Sequence, residues 1–130
     1  MTSQTKQRVI STLLYCGVVF YILGAIIHLF GLSVYPWFVA ELHSPYHDSL
    51  IAISSLGMAV FFLQGARHPD NRPLIEAIII ATLLCGPLII LMGLSVDFNR
   101  LNAPDKGPQA VLEGAAAIAL GVTLILLRRK

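Results

Sequence analysis

Residues 73–96 read PLIEAIIIATLLCGPLIILMGLSV. From Ala77 to Val96 the stretch contains no Asp, Glu, Lys or Arg. A bilayer core of about 30 Å demands about 20 apolar residues of a helix that crosses it. The stretch is long enough, so it predicts a membrane-spanning helix. Pro73 suits the first helical position. Pro87 predicts a kink, which a membrane helix tolerates when neighbours satisfy the freed carbonyl.

Working outward, Arg67-His68-Pro69-Asp70-Asn71-Arg72-Pro73 is a tight polar turn, which predicts that the spans on either side are antiparallel neighbours. The span before it covers about 49–66, with Asp48-Ser49 as the expected N-cap. Further back lies an apolar run from Val9 to Phe30. Between these two spans, Tyr35, Trp37 and Phe38 have the look of an interfacial aromatic belt. After residue 96 a polar loop from Asp97 to Pro108 carries Asn102, Pro104 and Gly107 as turn residues. A last apolar stretch, about 109–127, is interrupted by Glu113 and ends at Arg128-Arg129-Lys130.

Composition agrees with four spans. Hydrophobic residues make up 56% of the 130 and charged residues 12%, with a mean hydropathy of +0.77. A soluble domain of this length carries roughly twice that charged fraction. The net charge of +2 is spread between apolar runs and gives no nucleic-acid footprint. Cys16 and Cys85 sit deep in separate runs, where they read as small apolar packing residues. Lys6 and Arg8 before an apolar run resemble a signal peptide, but the uncharged run continues to Ala40 and no A-x-A site follows. The chain therefore reads as all-α: a single membrane domain over residues 1–130, an integral membrane four-helix bundle with helices at about 9–30, 49–66, 73–96 and 109–127.

The basic residues give an orientation. Lys6, Arg8, Arg67, Arg72, Arg128, Arg129 and Lys130 fall on one side of the four spans, and only Arg100 and Lys106 on the other. By the positive-inside rule this is an N-in/C-in protein with both termini cytoplasmic. Glu41, Asp48, Asp97 and Asp105 then lie on the outer side.

Glycines recur every seven residues on three spans: Gly17, Gly24 and Gly31; Gly86 and Gly93; Gly114 and Gly121. Seven residues is close to two turns, so each set marks one helix face. Ala52, Ser55 and Ala59 make a comparable face on the second span. Lipid supplies no hydrophobic drive between helices, so such small faces are expected to pack inward.

Ionisable groups at membrane depth are functional candidates. His28 shares the Gly24 and Gly31 face near the end of the first span, and Asp48 shares the Ala52 face of the second. Glu113 lies about one turn into the fourth, and Asp97 closes the third. His43 and His47 are four apart, with Pro45 between them. Together these form an outer polar layer with three readings. One is a hydrogen-bonded network in which His28 and Glu113 satisfy each other or water. Another is a pocket between helices for a quinone or other lipid-soluble molecule, with His28, His47, Asp48 and Glu113 as ligand-binding residues. The third is a zinc, iron or haem site, for which no ligand pair stands on a clear helix. Glu76, in the first turn of the third span, is expected to pair with Arg72 or Arg67. No nucleophile–base pair, phosphate loop or zincin motif is present, so no catalytic residue is assigned.

Pro36-Trp37, Pro45-Tyr46-His47-Asp48-Ser49-Leu50-Ile51, Leu56-Gly57-Met58, Phe61-Phe62-Leu63 and Ala66-Arg67-His68-Pro69 together resemble a group of small bacterial four-helix membrane proteins of unknown function, relatives of the DoxX-like family. The resemblance covers the middle half of the chain and implies a four-helix bundle in a bacterial inner membrane. Some DoxX-like members are associated with quinone-linked sulfur oxidation, and no residue here matches that activity. The leading expectation is thus a non-catalytic accessory or assembly subunit packing against a larger membrane complex. The rivals are a binder of a quinone or lipid, or a redox protein, at the outer side, and a small self-associating transporter dependent on Glu76 or Glu113.

Overall fold

A computed structural model describes residues 2–34 and 43–128. The expected aromatic belt at Tyr35, Trp37 and Phe38, with Glu41, Arg129 and Lys130, lies outside the described residues. The described chain forms four helices: α1 (Ser3–Phe30), α2 (Pro45–Arg67), α3 (Arg72–Ser95) and α4 (Lys106–Arg128). Each is long and apolar enough to cross a membrane, which makes this a multi-pass membrane protein. α1, at 28 residues, extends about 42 Å, well beyond the hydrocarbon thickness.

Every helix starts before its apolar run does, because caps rather than hydrophobicity decide where a helix begins. α1 starts at Ser3 rather than Val9, with the Thr2 hydroxyl accepting from the Thr5 N–H at 3.3 Å. α2 starts at Pro45, and its cap residue is Ser44 rather than Asp48 or Ser49. Asn71 caps α3, its side-chain oxygen accepting from the Leu74 N–H at 3.2 Å, so Arg72 takes the first position and Pro73 the second. α4 starts at Lys106, not Gln109, and holds Pro108 in its first turn, where the missing N–H costs no intrahelical bond. α3 runs through Pro87 without interruption.

Packing divides the molecule into two hairpins. α1 lies against α2 and α3 against α4, whereas contact between α2 and α3 and between α1 and α4 is slight. The tight turn after Arg67 does join α2 to α3, but it does not make them the main packing partners. The reason lies in the small residues. A methyl group on Gly86 would stand 2.8 Å from the Gly114 carbonyl oxygen, and one on Gly93 2.9 Å from that of Gly107. The α3 and α4 backbones therefore meet directly, as small-residue faces permit in lipid. In the other hairpin the Phe62 ring of α2 covers Gly17 of α1, and the Ser11 hydroxyl donates to the Ala66 carbonyl at 2.8 Å.

The hairpins are joined through one end. Ile10, Leu14 and Val18 of α1, Phe62 and Ala66 of α2, Ile75, Ile78 and Ile79 of α3 and Leu124 of α4 form a single buried core there. Most other large apolar side chains, among them Val19, Leu29, Ile53, Val60, Leu84, Leu88 and Leu112, point outward, as a lipid-facing surface requires. Glu76 sits at the rim of the same end. Its carboxylate accepts from Arg72, one of the two expected partners, at 2.9 Å, and from Arg128 of α4 at 3.3 Å.

Candidate functional site

At the other end the core gives way to a cavity of about 490 Å³ between the hairpins. Its apolar walls are Phe20, Tyr21, Leu23, Gly24 and Ile27 of α1, Ile51 of α2 and Ile89 of α3, with Val34 beyond α1. Its polar lining consists of His28, Ser55, Lys106 and Glu113. Along α1 the cavity reaches from the level of His28 to that of Phe20, a depth of about 12 Å at 1.5 Å per residue. Tyr21 marks the boundary, its ring edge-on to Phe62 of the core at 5.2 Å.

His28 is held by the way α1 ends. Gly31 adopts the left-handed conformation (φ 60°), and the Leu32 N–H returns to the Ile27 carbonyl at 3.0 Å. That turn sets the last helical residues beside the first turn of α2. His28 Nδ1 lies 2.5 Å from Asp48 Oδ1. The other carboxylate oxygen of Asp48 accepts from the Ser44 N–H at 2.6 Å and lies 3.1 Å from His43 Nδ1. Asp48 is 5% exposed, and the helix dipole at the start of α2 favours its charge. An ionised carboxylate can only accept, so His28 Nδ1 carries a proton towards Asp48. Gly31 also permits the His43 ring to lie flat against it: a side chain there would begin 3.2 Å from the ring.

The facing hairpin contributes α4. Glu113 accepts from Gln109 Nε2 at 2.5 Å and interacts electrostatically with Lys106, two turns earlier on the same helix. Gln109 is buried, and its side-chain oxygen has no donor among the described residues.

The expected polar layer is therefore split. His28, Asp48 and His43 form one cluster, while Glu113 belongs to a second with Gln109 and Lys106. His28 and Glu113 do not satisfy each other; each has a partner on its own hairpin, and both face the same cavity. His47 is exposed on the far side of the α2 start, 2.9 Å from the Ser44 hydroxyl, and Asp97 is about half exposed and paired with Arg100 at 3.0 Å. Neither lines the cavity. Lys106, Ser55 and Tyr21 do, and none was a candidate from sequence. The signal for Lys106 was available: it stands seven residues before Glu113, on the same face once α4 begins at 106. Among the described residues, no group of three His, Cys, Asp or Glu side chains forms a metal site. No protein-family model, curated protein or solved structure matches the chain.

Proposed function

We propose that the protein binds a small lipid-soluble molecule in the cavity between its hairpins. The observation that carries this reading is the lining itself: a mostly apolar space of ligand size, with a few polar side chains converging at one end from both hairpins. Phe20 and Leu23 line the cavity and are each about half exposed, which supports lateral entry from the bilayer. The distribution of basic residues supports placing this end on the outer side of a bacterial inner membrane, with both termini cytoplasmic. The accessory-subunit reading drew on an almost loop-free chain with small-residue faces and no catalytic constellation. Gly17, Gly86, Gly93, Gly114 and Gly121 are packed within the fold, so these faces leave no surface that calls for a larger complex, whereas the cavity supports a ligand.

Gly24 provides the test. A Cβ there meets nothing closer than the Ser55 hydroxyl at 4.0 Å, so Gly24→Leu starts without a clash and has the cavity to extend into. Protein purified from native membranes should carry an extractable lipophile, detected by mass spectrometry, that the variant lacks. Equal recovery from both, or nothing enriched over bulk lipid in the wild type, would refute the proposal.

A further inference from the structure

The wall of the cavity holds one hydroxyl that the fold does not use, and this inference rests on the binding proposal above. Away from the helix ends, Ser11, Thr12, Ser49, Ser54, Thr82 and Thr123 each donate to a backbone carbonyl at 2.7–3.1 Å. A serine or threonine in a membrane helix makes that bond because lipid offers its hydroxyl nothing else. Ser55 is the exception. It lines the cavity, and among the described residues its hydroxyl has no hydrogen-bond partner. Its neighbour Ser54 is exposed on the helix surface and donates to the Leu50 carbonyl at 2.8 Å. Opposite Ser55 stands Gly24 of α1, where a Cβ would lie 4.0 Å from the Ser55 oxygen. Gly24 is one turn from His28, so this polar spot lies about 6 Å inward of the histidine. The other side chains that α2 and α3 give to the lining, Ile51 and Ile89, are aliphatic.

We infer that Ser55 is the specificity-determining residue of the cavity, and that the ligand carries a carbonyl oxygen, as a ketone or ester, within its apolar body. The unspent O–H of Ser55 supplies the reason. A hydroxyl proton left unpaired against an apolar ligand costs free energy, and a carbonyl oxygen at that level accepts it. A ligand N–H or O–H could reach the serine oxygen, but it would leave the serine proton still unplaced. A pure hydrocarbon answers neither lone pair nor proton. Gly24 leaves the space in which the carbonyl sits, since any side chain there would begin against the same hydroxyl.

The experiment is calorimetric titration of the protein in lipid nanodiscs, corrected with empty discs, using dibutyl ketone and the alkene in which a CH2 group replaces its oxygen. The two probes share one shape and differ in the acceptor alone. The wild type should bind the ketone about tenfold more tightly than the alkene, the value of one hydrogen bond made away from water. Ser55→Ala should bring the ketone down to the affinity of the alkene and leave the alkene unchanged. In the infrared, the carbonyl stretch of the bound ketone should lie at lower frequency in the wild type than in Ser55→Ala. A purely structural serine would move both probes alike and leave that band in place, which overturns its assignment. A hydroxyl that turns back onto the Ile51 carbonyl gives equal affinities in the wild type, and equal affinities, or binding of neither probe, overturn the carbonyl inference. Alanine is a strong helix former, and should the variant still not fold, the two probes on the wild type decide the matter. The cavity reading is judged separately: it survives a failed ketone preference if Gly24→Leu loses both probes, and it fails, taking this inference with it, if Gly24→Leu binds both as the wild type does.

Discussion

The two ends of this bundle are made from the same four helices and are built on opposite principles. At the end holding Ile10, Phe62, Ile75 and Leu124, apolar side chains from all four helices interlock, and the Ser11 and Thr82 hydroxyls beside them are spent on backbone carbonyls. At the end holding His28 and Glu113, each of these two side chains is hydrogen-bonded within its own hairpin and the space between hairpins stays open. The glycine stripe of α1 runs through both regimes. Gly17 is covered by Phe62, Gly24 faces the cavity, and Gly31 turns the chain with a positive φ. One spacing in the sequence thus serves three physical purposes, and the neighbour across the interface decides which.

Four substitutions would sharpen or break this contrast, measured as unfolding in mixed micelles. Phe62→Ala removes the largest fully buried side chain of the closed end and should cost about 3–5 kcal/mol. Gly17→Leu drives a side chain into the Phe62 ring and should cost about 1–3 kcal/mol. Gly24→Leu, the same chemical change one repeat along, should alter stability by no more than about 0.5 kcal/mol while removing bound lipophile. A comparable loss at positions 17 and 24 would mean the open end is packed after all. Glu76→Gln, at the exposed rim, should shift the midpoint least, within the reproducibility of the measurement, because solvent screens its pairs with Arg72 and Arg128.

Much of the fold was legible in the sequence because lipid imposes a simple demand: long uncharged runs become helices. The four spans follow from that alone. Helix starts do not, since the Thr2 and Asn71 side chains and the Ser44 N–H to Asp48 act through local hydrogen bonds that hydropathy ignores. The late start expected for α4 had a functional consequence: it left Lys106 in a loop and hid its register with Glu113. His28, Asp48 and Glu113 were recognisable as polar groups at membrane depth, but their pairing was not. The short turn after Arg67 suggested α2 against α3, whereas close backbone approach selects α3 against α4, through glycines whose matching depths only the folded chain displays. His47 was misplaced for a simpler reason. Pro45 begins a helix whose His47 and Asp48 point in directions about 100° apart, so only one of them can turn inward.

The division into hairpins also has a consequence for biogenesis. Each hairpin carries its own interhelical contacts, so the first can insert and close before the second has left the ribosome, and the second can do the same. Neither half contains the cavity. It comes into being only when the two docked halves share the apolar core beside Phe62, so a severed connection at Asp70 need not destroy the protein. Separately expressed segments 1–70 and 71–130 would each lack the cavity, and only their reunion would restore the shared core beside Phe62.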